Sequence, residues 1–143
     1  MELWINQRAQ FSDGKLRTYT SIKQHFGYER YPSINKNFEH RRSLTKLRTS
    51  AHRLNIEAGR YQGIPPHQRL CAQCDSREIE DEIDFLLVCN KFADNRQALL
   101  NTVALTCNNS LNLTVQEKFH WIMNCEDKNI LKELCNFIYK FCR

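Results

Sequence analysis

Apolar positions along the chain recur at helical spacing far more often than they alternate, so the pattern predicts helices rather than strands. The first run places Leu16, Tyr19, Ile22 and Phe26 on one side of a helix over residues 15 to about 26, capped by Asp13 and ended by Gly27. Residues 28–38 carry Pro32 and scattered aromatics and read as a connecting loop. Leu44, Leu47, Ala51 and Leu54 then form one apolar stripe, with Gly59 as the natural stop. At about 100° per residue, Arg42, Lys46, Thr49 and Arg53 fall on the opposite side. Ile79, Ile83, Leu86 and Leu87 are helically spaced, as are Phe92, Leu99 and Val103 within 91–105. Thr114-x2-Glu117 has the form of a capping box and predicts a helix through Trp121 to Met123. The last run, Ile130, Leu131, Leu134, Phe137, Ile138 and Phe141, is strongly amphipathic and must be covered. The helices expected at 91–105 and 115–123 are the nearest cover. The fold class expected is all-α, an irregular domain of about five to six helices. In its middle lie a small zinc-knuckle-like turn and at most a short β-hairpin.

Length keeps this within one compact domain, since 143 residues can bury a core without metal or disulfide. Three segments are distinguishable inside it: 1–70, basic and helical; 71–90, knuckle-like; and 91–143, the C-terminal helices. The net charge of +5 is unevenly spread. Residues 1–70 hold 13 Lys/Arg against 5 Asp/Glu, whereas 71–143 hold 8 against 11, so the first half is the side suited to a polyanion. No apolar run approaches the roughly 18 residues of a membrane span, and residues 1–10 lack the apolar stretch of a signal peptide. Seven cysteines without such a signal read as reduced thiols in an intracellular chain, nuclear or cytoplasmic.

The chemistry concentrates in Cys71-x2-Cys74, nine intervening residues, then Asp84-x4-Cys89. Two thiolates on a tight turn reach one metal, and a second pair completes a tetrahedron, which is the donor set and spacing of zinc. Asp84 stands where such sites usually carry histidine. Because Asp84 and Cys89 are five apart, both face one metal only if Cys89 lies at or past the end of its helix. His67 is the alternative nitrogen donor. The carboxylates Glu78, Glu80, Asp81, Glu82 and Asp84 scatter around a helix axis and read as a solvated acidic face. His52 reads as a packed or hydrogen-bonded residue. Cys107, Cys125, Cys135 and Cys142 lack paired spacing and read as core filling. There is no Gly-rich phosphate loop, nucleophile elbow or paired-aspartate strand, so no catalytic residues are assigned and the chain is read as a non-enzyme.

Four segments together resemble a known family: K-L-R-T-Y at 15–19, R-x-S-L-T-K-L-R-T-S-A-H-R-L-N-I-E-A-G-R-Y at 41–61, R-L-C-A-Q-C at 69–74, and I-E-D-E-I-D-F-L-L-V-C at 79–89. They look like the region downstream of the polymerase domain in LINE-type (non-LTR) retrotransposon reverse transcriptases, over roughly residues 14–105. That family carries a Cys-Cys-His-Cys zinc knuckle here, usually E-D-E-x-H-F-L-x-x-C, from which Asp84 departs. The resemblance implies a non-catalytic module, truncated or stand-alone, that handles RNA or single-stranded DNA beside the polymerase part of a parent protein. It implies zinc on Cys71, Cys74, Asp84 and Cys89. Nucleic-acid contacts are expected at Arg42, Lys46, Arg48, Arg53 and Arg60, with Tyr19, Tyr28, Tyr31 and Tyr61 as stacking candidates. Two other readings are a helical protein-interaction module without metal or nucleic acid, and a metal-dependent endonuclease.

Overall fold

The structure, a computed structural model, describes residues 14, 16–23, 25 and 27–142. Over these the protein is all-α: α1 (Arg17–Ile22), α2 (Tyr31–Ile34), α3 (Phe38–Arg48), α4 (Asn55–Tyr61), α5 (Gln97–Thr106), α6 (Val115–Asn124) and α7 (Lys128–Phe141). Between α4 and α5 the chain uses short pieces instead, 3-10 turns at Pro66–Gln68 and Asn90–Phe92 and a π-helical turn at Asp84–Val88. Strand pairing among the described residues is confined to one isolated antiparallel bridge, Leu70 to Ile79, so the hairpin allowed for by the sequence amounts to that bridge.

Helix starts follow side-chain caps. Asn37 accepts from the His40 N–H at the head of α3, and Asp127 accepts from the N–H groups of Asn129 and Ile130 at the head of α7. The capping box is complete: Thr114 accepts from the Glu117 N–H while Glu117 accepts from the Thr114 N–H. The core gathers around α7, whose Ile130, Leu131, Leu134, Cys135, Phe137 and Ile138 are all buried. Phe85, Phe92, Phe137 and Phe141 join there with ring centroids 5.1–6.1 Å apart, so the π turn and the C-terminal helix share one aromatic cluster.

Several expectations are corrected. The cover on α7 is α3 first and α5 second, not α5 and α6, because Leu44 and Leu47 supply the facing ridge. α1 ends at Ile22, well before Gly27; Lys23 is extended, and its ammonium is held by the Gly27 carbonyl and Glu29. The proposed cap Asp13, with Lys15 and Phe26, lies outside the described residues. Residues 31–34 are a helical turn, started by Pro32 in its first turn where a missing N–H costs nothing.

The basic helix stops at Arg48. Ser50 adopts a left-handed φ of 57°, its N–H bonds to Leu47 O, and the Ala51 N–H reaches back to Lys46 O, which together form a Schellman motif. No glycine marks that stop; the Ser50 hydroxyl offsets it with a hydrogen bond to Glu82 at 3.2 Å. Ala51 is consequently exposed rather than in the apolar stripe. Gly59 sits inside α4, where an added Cβ would stand 2.7 Å from the Arg69 side chain, and the turn after α4 falls to Gly63 at φ +71°.

Candidate metal centre

Cys71 and Cys74 lie either side of a loop that opens at the Leu70–Ile79 bridge. The Cys71 N–H bonds to Glu78 O at 2.7 Å and the Glu80 N–H to Arg69 O at 3.0 Å, which pins the loop at its base. Cys89 arrives from the other side, just past the π turn. The three sulfurs converge: Cys71 Sγ is 3.7 Å from Cys89 Sγ and 3.7 Å from Cys74 Sγ, and all three lie within 4.8 Å of one another. Cys71, Cys74 and Cys89 therefore form a group that could hold a metal ion. All seven cysteines are free thiols.

The thiols are not equivalent. Burial, with the nearby Asp84 carboxylate adding to it, pushes the Cys71 thiol well up. Burial also raises Cys89. Cys74, at the mouth of the loop, is lowered to about 7 by its hydrogen bonding with the Ser76 hydroxyl and backbone. Cys74 is thus the sulfur poised to lose its proton first.

Asp84 lies against Cys71, on the far side from the loop mouth, and outside the group formed by the three sulfurs themselves. It is 3% exposed, yet neither carboxylate oxygen meets hydrogen-bond geometry with any group. Burial raises its pKa, with the neighbouring Cys71 thiol and then Arg96 opposing. A buried carboxylate whose neighbour is only a weak thiol donor costs free energy, and a bound cation would relieve that cost. The π turn links Asp84 to Cys89: the Cys89 N–H donates to Asp84 O at 2.7 Å, an i to i−5 bond that lays two residues five apart over one another. An α-helical turn would have rotated Cys89 away. Arg96 locks this corner; its guanidinium is buried and donates to Cys89 O at 2.6 Å and Phe85 O at 3.2 Å. The sequence reading missed Arg96, and a lone arginine before a helix gives no signal for it. His67 is exposed on the 3-10 turn beside Gln68 and lies outside the sulfur group, so it is not brought to the site.

The acidic run is a solvated face only at Glu78; Glu80, Glu82 and Asp84 are turned inward and meet separate surroundings. Glu80, Glu82 and Asp84 are 3–4% exposed. Glu80 accepts from the Asn55 N–H at 2.7 Å and stands 3.9 Å from Cys71 Sγ. Glu82 accepts from Arg17 at 2.7 Å, His52 at 2.6 Å and Ser50. Burial alone would raise Glu82, but His52 and Arg17 overcome it and hold the carboxyl at about 2. Glu57, also buried, pairs with Arg17 and Arg60. His52 is thus the packed, hydrogen-bonded residue its setting suggested. This network ties α1 and α4 to the start of the π turn.

The five basic candidates do not share a face. Arg48 is buried, donates to Met123 O at 2.5 Å and to Glu29 at 3.3 Å, and stacks on Tyr31; it is a structural tie and is unavailable to a polyanion. Arg42 and Lys46 are exposed on α3, whereas Arg53 follows the Ser50 break and belongs to another segment. Arg60 is partly exposed but held by Glu57 at 3.1 Å and by the Tyr61 ring. Among the tyrosines, Tyr28 and Tyr61 are 82% and 76% exposed, while Tyr31 is bonded to Thr45. Among the described residues no helix is long and apolar enough to cross a membrane. No protein-family model, no curated protein and no solved structure matches the chain.

Proposed function

We propose that Cys71, Cys74 and Cys89 hold zinc with Asp84 as the fourth ligand, and that the metal clamps a non-catalytic module for binding RNA or single-stranded DNA. The reading takes this chain as the tail of a LINE-type reverse transcriptase. The observation that carries the metal is the convergence of the Cys71, Cys74 and Cys89 sulfurs within 4.8 Å of one another; the buried Asp84 carboxylate beside Cys71 is the candidate that would complete the set. Three thiolates and a carboxylate suit zinc, while the soft sulfurs argue against magnesium or calcium. Bound there, zinc supplies a structural crosslink between the 71–74 loop and the π turn. Arg96 offsets the excess negative charge of the donor set. The nucleic-acid part is supported by the family resemblance and by the positive charge of residues 1–70.

Metal content of purified protein tests the first part: one zinc per chain is expected, lost with Cys71→Ser, and Asp84→His should tighten it. Absence of stoichiometric zinc, or a zinc affinity indifferent to position 84, overturns the ligand set. Binding of single-stranded RNA or DNA, weakening steeply with salt, tests the second part; no binding at low salt discards it. A protein-interaction role is favoured by one observation, the 86% and 93% exposure of Leu105 and Leu111, and would appear as self-association instead.

A further inference from the structure

We infer that the nucleic-acid track starts in the groove between the α2–α3 connection and the first turns of α7, with phosphate held by Lys36, Lys128 and Lys132; this rests on the nucleic-acid reading above. These three lysines converge on one open groove of about 490 Å³, with Ile34, Asn35 and Asn129 completing its walls. All three are exposed, and none pairs with a carboxylate among the described residues. The neighbouring acids are engaged elsewhere: Asp127 accepts from the N–H groups of Asn129 and Ile130, and Glu126 faces Arg30 at 3.4 Å. Three like charges around one concavity repel each other and gain from a bound polyanion.

The adjoining surface fits a single strand. Lys128, Lys132 and Tyr139 fall on one side of α7 at four- and seven-residue spacing, which spans about 16 Å along the axis. Tyr139 is 37% exposed and lies 5.4 Å from the His40 ring of α3, so a ring pair stands about two turns along α7 from Lys132. A basic groove leading to aromatic rings is the arrangement that holds backbone phosphates and stacks unpaired bases. A folded duplex offers no free base to such a pair, and a lipid headgroup has none. The surface lies on the helix that organises the core, so its geometry is fixed by the same packing that stabilises the fold.

The test uses the full chain and a short single-stranded RNA and DNA of mixed sequence, with salt titrations. Lys36→Gln/Lys128→Gln/Lys132→Gln should lose three contacts, flattening the log–log salt slope by about 2 and weakening binding about 100-fold at 0.1 M salt. Tyr139→Ala should weaken binding several-fold without changing the slope. An unchanged slope in the triple variant overturns the site. If Arg42→Ala/Lys46→Ala/Arg53→Ala alone carries the loss, the module binds nucleic acid elsewhere and only this inference fails. If the wild-type chain binds neither strand, the underlying reading fails with it. Stronger binding to anionic vesicles than to either strand also overturns it, as a membrane surface. Circular dichroism and melting of each variant exclude unfolding as the cause.

Discussion

The segment 71–90 and the C-terminal helices use opposite means to stay folded. The helices of 97–142 carry their own instructions: a complete capping box, an aspartate cap, and an apolar stripe buried against α3 and α5. The knuckle segment has one bridge, one π turn, three buried carboxylates and three clustered thiols. Its apolar contribution, Phe85, Leu86, Cys71 and Cys89, joins the core supplied by the helices. The lesson is a division of labour. Hydrophobic burial builds the frame, and a polar corner is mounted on it, where three thiols converge in a group that could hold a metal ion.

The widest test of that division is to break the frame. Leu134 is fully buried, so Leu134→Asp, or truncation after Asn124, should cost at least about 4 kcal/mol and unfold both regions together in one denaturant transition. Separate transitions would show that the segments are independent.

Next in size is the ionic seam joining α1 and α4 to the π turn. Glu82 has its pKa lowered from 4.5 to about 2, so its contribution is fully present above pH 4.5 and is lost as pH falls from there toward 2. That difference is worth up to about 3 kcal/mol. The wild type minus Glu82→Gln difference in unfolding free energy should shrink across this window. A pH-independent difference would mean that the charge is not what holds the seam.

Metal removal should act on the corner first. Chelation should lower stability by about 2.7 kcal/mol if free zinc had stood 100-fold above Kd. Hydrogen exchange should rise in 71–90 before it rises in α7. Equal loss of protection in both would place the metal in the frame rather than on it.

The subtlest prediction is a change of sign. In metal-free protein Asp84→Asn removes a buried unpartnered carboxylate and should raise stability by about 1 kcal/mol. In zinc-loaded protein the same change should lower stability by weakening a ligand. The same sign in both states would remove Asp84 from the metal.

The sequence by itself determined the helices whose signals are local. The Thr114–Glu117 box, the Ile130–Leu131–Leu134–Ile138 spacing of α7 and the Leu44–Leu47 pair of α3 all depend on residues within a few turns of one another. The cysteine trio was legible for the same reason, since donor type and spacing are written along the chain. What only the tertiary structure decided were matters of distant partners. α3 ends at a serine because Glu82 bonds its hydroxyl across 32 positions. Glu82 of the acidic run is buried because Arg17 and His52, far away in the chain, hydrogen-bond its carboxylate. Arg48 points inward to a carbonyl 75 residues on. Lys36 and Lys132, far apart in the chain, share a groove because the end of α2 and the residues after it pack beside α7. Charge and hydrogen-bond satisfaction are properties of a folded neighbourhood, whereas periodicity and capping are properties of a chain.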